Sequence, residues 1–499
     1  MLAAVRTFAI LGVEALPVAV EADVSRGLPG FAIVGLPDAA VRESRERVRS
    51  ALSNCGFEFP LRRITANLAP ADLRKAGPGF DLAIAAALLA ASGQIPVASL
   101  ERLALAGELA LDGSIRPVPG ALPMAEAARQ AGLRGIAVAA RAAPEAALAD
   151  GVDVLPLERL EQLAALARGQ WSPAPVAAPS TNGRGPALPD LADVRGQPSL
   201  RRALEVAAAG GHSMLVTGPP GAGKTLAARR LPSILPPLDR EEALEVTRVA
   251  SACGRAPPPG RLCERPFRAP HHTVSAAGLV GGGNPPRPGE VTLAHRGVLM
   301  LDELAEFSRR ALEALRQPLE EGRVTITRAA HSVELPCRFQ LVAAANPCPC
   351  GRGTEDEDCN CSPLEVKRYR TRLSGALADR IDIALAVEQP SAEALATGPG
   401  ESSAVVRDRV AEARRRQGER LGAGRVNAEL EPDALNPRGE LDDEAREMLA
   451  AGHARLRLSG RGNHRVLRVA RTIADLAGAE RVGAAHVGEA LTMRRRAPD

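Results

Sequence analysis

The segment SMLVTGPPGAGKT, Ser213 to Thr225, constrains this chain more tightly than any other, because it runs a short apolar strand into a glycine loop that ends on Lys and Thr. The loop fits G-x-x-x-x-G-K-[ST] and a helical pattern follows it, the context in which such a loop cradles a polyphosphate. Gly218, Gly221 and Gly223 let backbone N–H groups wrap the phosphates, with Pro219, Pro220 and Ala222 completing the loop. Lys224 then reaches the β and γ phosphates and Thr225 ligates Mg²⁺. Lys75, Lys224 and Lys367 are the only lysines among 63 basic residues, so a lysine at this position is not drawn from a lysine-rich background. The expected cofactors are ATP and Mg²⁺, and the expected core is an α/β parallel sheet covered by helices.

Two later strands supply partners for that loop. GVLMLDE, Gly297 to Glu303, places two acids after four apolar residues. Asp302 is expected to hold Mg²⁺ and Glu303 to polarise the attacking water. FQLVAAAN, Phe339 to Asn346, ends on an amide placed to sense the γ-phosphate; the alternative role for Asn346 is a cap on the turn before Pro347. Directly after it, Cys348, Cys350, Cys359 and Cys361 form C-x-C-x8-C-x-C around an acidic loop too polar to build a core. Four such thiolates can hold Zn²⁺ tetrahedrally, and reduced thiols or a redox role are the alternatives. Arg380, in LADRID, is placed to reach the ATP of a neighbouring subunit, which requires an oligomer. Arg461, Arg465, Arg468 and Arg471 recur at near-helical spacing, with Arg465 favoured as a nucleotide contact against a solvated arginine face.

Two further stretches lie between the glycine loop and Asn346. His271 and His272 lie in a glycine- and proline-rich stretch; on a strand, adjacent histidines face opposite ways, which favours a loop touching substrate or nucleotide over a metal site. RVTITRAAHSVELP, Arg323 to Pro336, reads as a hairpin in which Arg323, Arg328 and His331 are candidate DNA contacts, the alternative being a surface hairpin without function.

A chain of 499 residues with 45% hydrophobic and 24% charged content buries more than one core. Residues 1–170 read as an α+β unit that opens on a strand, and residues 171–189 as a linker rich in Pro, Ala, Ser and Gly. The nucleotide-binding unit follows over 190–390, and a helical unit over 391–499. No apolar run reaches the ~18 residues needed to cross a bilayer, and no clean signal peptide opens the chain, so a cytoplasmic protein without membrane association is expected. Net charge is only +4, but Ala451 to Asp499 carries ten Arg against four acids, a surface able to meet phosphates. Aromatic content of 2% argues against base stacking as the main mode of nucleic-acid binding.

Taken together, GLPDAAVRESRERVRSAL, DVRGQ, AAAGGHSMLVTGPPGAGKT, FRAPHHT, PGEVTLAHRGVLMLDEL, ANPCPCG and VARTIADL resemble the AAA+ superfamily, and within it the magnesium-chelatase-like ComM/YifB family. The resemblance implies a Lon-protease-like amino-terminal domain, an AAA+ ATPase core with chelatase-type insertions and a helical carboxyl-terminal lid. It also implies a hexameric, ATP-driven DNA motor for helicase or branch-migration work in natural transformation and homologous recombination. A metal-chelatase motor and a protein-remodelling chaperone are the competing readings. In the Lon-like part, Gly79 stands where the resemblance places a nucleophilic serine and Met124 where it places a lysine, which implies a scaffold or substrate-handling domain without peptidase activity.

Overall fold

A computed structural model describes residues 1–176, 188–258, 261–327, 332–353, 357–373, 377, 380–396, 398–431 and 441–494. Arg328, His331 and most of the expected linker lie outside the described residues.

The amino-terminal unit is a mixed seven-stranded sheet. Its strands lie in the order Gly30–Val34, Arg63–Ala69, Glu14–Ser25, Leu2–Leu11, Leu103–Ala106, Gly135–Ala139 and Asp153–Leu157. The long hairpin Leu2–Leu11/Glu14–Ser25 pairs from Leu2↔Asp23 to Leu11↔Glu14 and turns at Gly12, whose φ of +66° suits a residue without Cβ. Helix Asp81–Ala91 is buried along its whole length, as the unbroken apolar run over 82–91 requires. Leu82, Ile84, Leu88 and Leu89 each gain about 2 kcal/mol from that burial. Helix Ala39–Asn54 is capped by the Asp38 carboxylate, which accepts from the Val41 N–H, and it buries Val41, Val48 and Leu52 on one face. Sequence spacing pairs its Arg47 with Glu43. That contact forms at 3.7 Å, but the tighter partner is the fully buried Asp81, at 2.6 Å. Removing Arg47 would strand a buried charge, a loss of about 3–5 kcal/mol.

The second sheet has five parallel strands in the order Phe267–Arg268, Val298–Leu301, Gln340–Ala345, Met214–Thr217 and Ile383–Ala386. Three of them, Val298–Leu301, Gln340–Ala345 and Met214–Thr217, are neighbours and carry at their carboxyl ends the acids, the asparagine and the glycine loop. The carboxyl-terminal helices Ser403–Leu421, Asp443–Leu456, Gly460–Ala477 and Ala484–Thr492 share one apolar core with helix Pro198–Gly210 and with this sheet.

Helix Arg240–Ala252 joins the two sheet units. Its Arg248 forms a two-pronged pair with Glu126 of helix Ala121–Gln130, at 2.6 and 2.8 Å, and its Arg240 meets Asp150 at 2.9 Å. Toward the second sheet, Glu242 and Glu245 bind Arg296, and Glu245 also meets His295 at 3.0 Å. Hairpin Arg323–Thr327/Ser332–Pro336 forms as expected, but it buries Val324, Ile326, Val333 and Leu335. Val333 and Leu335 lie so close to Gly12 that a Cβ there would be 2.5 and 2.8 Å from them. One face of the hairpin is therefore packed against the amino-terminal unit. Among the described residues, no helix is long and apolar enough to cross a membrane.

Candidate active site

Strand register assembles the site. Thr217 pairs with Ala345, so the loop starting at Gly218 and the side chain of Asn346 emerge side by side, and the Gly218 N–H donates to the Ala345 carbonyl at 3.2 Å. Gly221 and Gly223 both adopt φ of +82°, a region an L side chain reaches only with strain. The helix that follows the loop spans only Lys224–Ala228, shorter than its sequence pattern implies. Pro232, lacking an N–H, cannot continue its hydrogen-bond ladder.

Lys224 Nζ donates to the carbonyls of Gly218 (2.6 Å) and Pro219 (2.8 Å) and to Asn346 Oδ1 (3.1 Å). Three acceptors occupy the three donors of the ammonium group. Burial holds its pKa below the usual lysine value, with Asp302 opposing that shift. Thr225 Oγ1 donates to Asp302 Oδ2 at 2.7 Å, so a hydroxyl and a carboxylate converge on one point. That pair of oxygens suits Mg²⁺, which takes few protein ligands and prefers oxygen.

Glu303 sits at φ 52°, ψ 48°, a left-handed conformation uncommon outside glycine and concentrated at functional positions. Its carboxylate lies 3.3 Å from His272 Nδ1. Parallel pairing explains the meeting: Arg268 is opposite Leu299, and His272 and Glu303 each stand four residues beyond those partners. The two histidines are not on a strand, and their rings stack at 4.0 Å instead of facing opposite ways. His272 also abuts the Phe307 ring edge-on at 6.4 Å. Sequence reasoning placed a nucleotide-contacting loop here but missed this partner, because only the pairing of two distant strands reveals it.

The four cysteines come together, with all four sulfurs within 4.8 Å of one another. Cys348–Cys350, Cys348–Cys359 and Cys350–Cys359 separations are 3.3, 3.8 and 3.6 Å. Tetrahedral zinc with Zn–S near 2.3 Å needs sulfur separations of about 3.8 Å, whereas a disulfide needs about 2.05 Å. The donor set thus fits zinc. An N–H from Arg352 brings Cys350 down to about 6. Cys361 accepts from the Cys350 backbone, yet burial and the adjoining sulfurs push it up to about 12. Metal binding would displace the protons of these thiols.

The arginines are placed differently from one another. Arg380 precedes the amino end of Ile383–Ala386, whereas the phosphate loop follows the carboxyl end of the parallel strand Met214–Thr217. Its side chain pairs with Glu320. The structure brings Arg465 to Asp382, at 3.5 Å, and not to the phosphate loop. Asp382 also takes His212 at 2.9 Å. Arg468 donates to the Leu430 carbonyl. Arg471 is 2% exposed and is spent on Asp475 and on the carbonyls of Ala479 and Glu480, so this helix does not present a wholly solvated arginine face. Arg461 is exposed. Arg323 is exposed and pairs with Glu334 at 3.2 Å. In the amino-terminal unit, Gly79 abuts Val118 and Met124 is buried in helix Ala121–Gln130.

The family described as "Magnesium chelatase, subunit ChlI" matches residues 190–395. "Subunit ChlI of Mg-chelatase" matches residues 20–142, and "Magnesium chelatase, subunit ChlI C-terminal" matches residues 400–494. The chain is 45% identical to the YifB protein of Salmonella typhimurium over 99% of this chain and 97% of that one. Against the competence protein ComM of Haemophilus influenzae, identity is 43%, again over 99% and 97%. Lon protease 2 of Bacillus subtilis is 29% identical over 32% of each chain. With its glycine loop, paired acids and asparagine gathered at the carboxyl ends of three neighbouring parallel strands, this chain belongs to the YifB/ComM family of magnesium-chelatase-like AAA+ ATPases.

Proposed function

We propose that this protein is an ATP-hydrolysing ring motor, most simply a hexamer, that moves along or remodels DNA. The observation that carries the motor reading is the placement of Arg380, before the amino end of its strand while the phosphate loop lies beyond the carboxyl end of a parallel neighbour. A pocket whose own arginine is at the far end of the sheet is completed by a neighbouring subunit, which gives Arg380 its role on the transition state. Within the pocket, Lys224 exchanges its carbonyl partners for phosphate oxygens. Glu303, oriented by His272, polarises the attacking water, and Asn346 holds the γ-phosphate or that water in line. Thr225 and Asp302 hold Mg²⁺, which supplies charge neutralisation to the phosphates when bound. Cys348, Cys350, Cys359 and Cys361 hold a structural Zn²⁺.

DNA as the substrate is supported by the family relationship to a competence protein and by the exposed Arg455, Arg457 and Arg461 of the carboxyl-terminal unit. We extend this to branch migration during transformation and recombination, with Arg323 and the hairpin it opens among the contacts. A second reading, a chelatase-type motor acting on a partner protein, is favoured by the magnesium-chelatase descriptions that match the chain. The test is the ATPase rate with single-stranded, duplex and branched DNA at several salt concentrations, alongside an unfolded polypeptide. DNA stimulation that weakens with salt is expected. Stimulation by polypeptide alone overturns the DNA reading.

A further inference from the structure

We infer that the zinc held by the four thiols is part of the hydrolytic apparatus: it closes the loop between Asn346 and Ser362 against the phosphate loop and so positions the sensor asparagine, making ATP turnover depend on zinc as well as on Mg²⁺. This rests on the zinc reading above and adds a function to that site.

Both arms of the loop touch reacting parts. On the first arm, Cys348 lies two residues beyond Asn346, is fully buried, and accepts the Gly353 N–H at 3.2 Å through its sulfur. The turn so formed brings Gly351, at φ +88°, against the phosphate loop. A Cβ on Gly351 would stand 2.9 Å from Pro220 Cγ and 3.8 Å from Asn346 Nδ2. Pro220 therefore rests on the turn that carries two of the four ligands.

On the second arm, Cys361 is followed by Ser362, which caps helix Pro363–Leu373 reciprocally with Glu365 (2.8 and 3.3 Å). That helix sends the buried Tyr369 phenol to the Asn346 backbone. It also sends Arg372 to the carbonyl of Ala305, at 3.4 Å, in the turn directly after Glu303. The helix thus contacts the asparagine from behind and the turn beside the catalytic glutamate.

The whole connection, PCPCGRGTEDEDCNC, has almost no apolar side chains with which to hold itself. Where hydrophobic burial is missing, metal binding can supply folding energy. Four thiolates on one ion join the two arms. Without the ion, the Gly351 turn and the Tyr369 helix lose their common anchor. Displacing a positioned group by about 1 Å can cost roughly 10²-fold in rate. ADP, held mainly by the glycine loop and Lys224, would be affected less.

The experiment uses the full chain. Metal content is measured, Co²⁺ is substituted to read tetrathiolate coordination from its absorption spectrum, and the zinc is then removed by a chelator before return to excess Mg²⁺, with and without added Zn²⁺. The readouts are kcat for phosphate release and affinity for a fluorescent ADP analogue. We expect about one zinc per chain. Removal should lower kcat at least tenfold, change ADP affinity less than threefold, and be reversed by zinc. Protein with neither zinc nor cobalt tetrathiolate overturns the zinc reading and the inference with it. One bound zinc whose removal leaves kcat unchanged overturns the inference alone. Should the zinc-free protein aggregate, Gly351→Ala decides. It keeps all four thiols but drives a methyl group into Pro220, and it should retain zinc while losing kcat at least tenfold. Normal turnover in that zinc-loaded variant refutes the coupling.

Discussion

Replacing Asn346 separates sensing from binding, because its role can be read from the partners of one ammonium group. Lys224 has three donors, and the protein itself supplies three acceptors, the carbonyls of Gly218 and Pro219 and the amide oxygen of Asn346. Asn346→Ala removes one acceptor and leaves a donor free for phosphate, which offsets whatever contact the amide made to the nucleotide. ADP affinity should stay within about threefold of the parent. In the transition state, the lost hydrogen bond to a charged group is worth about 1.5–3 kcal/mol, so kcat should fall by roughly 10- to 150-fold. Asn346→Asp should behave differently. It puts a carboxylate where the amide now lies 3.1 Å from Lys224, in a pocket where like charge would face the phosphates. Two unit charges at 4 Å interact by about 4 kcal/mol at an effective dielectric of 20, and solvent in this half-open pocket reduces that. Nucleotide binding by the aspartate variant should still weaken at least tenfold. Steady-state phosphate release and titration with a fluorescent ADP analogue measure both effects. If Asn346→Ala loses affinity as severely as turnover, or if Asn346→Asp binds as tightly as the parent, the reasoning fails.

Glu303→Gln should bind ATP and stop turnover, whereas Lys224→Ala should weaken binding as well; rapid hydrolysis by the Gln variant would show that the base lies elsewhere. Arg380→Ala should abolish hydrolysis with little loss of nucleotide affinity. Mixing it with Glu303→Gln subunits should restore part of the activity in shared pockets, and strictly additive inactivity would argue against sharing. Glu245, hydrogen-bonded by His295 and Arg296, is held down to about 2 from an ordinary 4.5. A carboxylate depressed on folding contributes stability that is present above 4.5 and lost as pH falls toward 2. Thermal melting should therefore show a flatter acid limb for Glu245→Gln than for the parent, and identical limbs would refute that assignment.

The parts of the candidate ATP site are legible because they sit at strand ends, where a short apolar run and a change of residue type mark the boundary. Gly218 to Thr225, Asp302 and Asn346 could be aligned from local text alone. The pairing of His272 with Glu303 could not, since it depends on strand Phe267–Arg268 lying beside Val298–Leu301, a register that no local pattern specifies. Arg47 shows the same limit in the amino-terminal unit: helical spacing found Glu43, but the buried partner Asp81 lies 34 positions away. Arg465 illustrates a further difficulty. Among four arginines at near-helical spacing the sequence favours Arg465 for nucleotide, yet tertiary packing binds Arg465 to Asp382 and buries Arg471 against Asp475. Helical periodicity gives the spacing of side chains but not which neighbours surround them.

Helix Arg240–Ala252 is gripped from two sides, by Glu126 and Asp150 of the amino-terminal unit and by Arg296 and His295 at the root of the strand that ends in Asp302 and Glu303. It therefore acts as a strut in series between the amino-terminal sheet and the strand that leads into the two acids. A fragment beginning near the glycine-loop unit would leave Arg248 without its carboxylate, so excision would loosen the helix that braces the strand leading to the two acids.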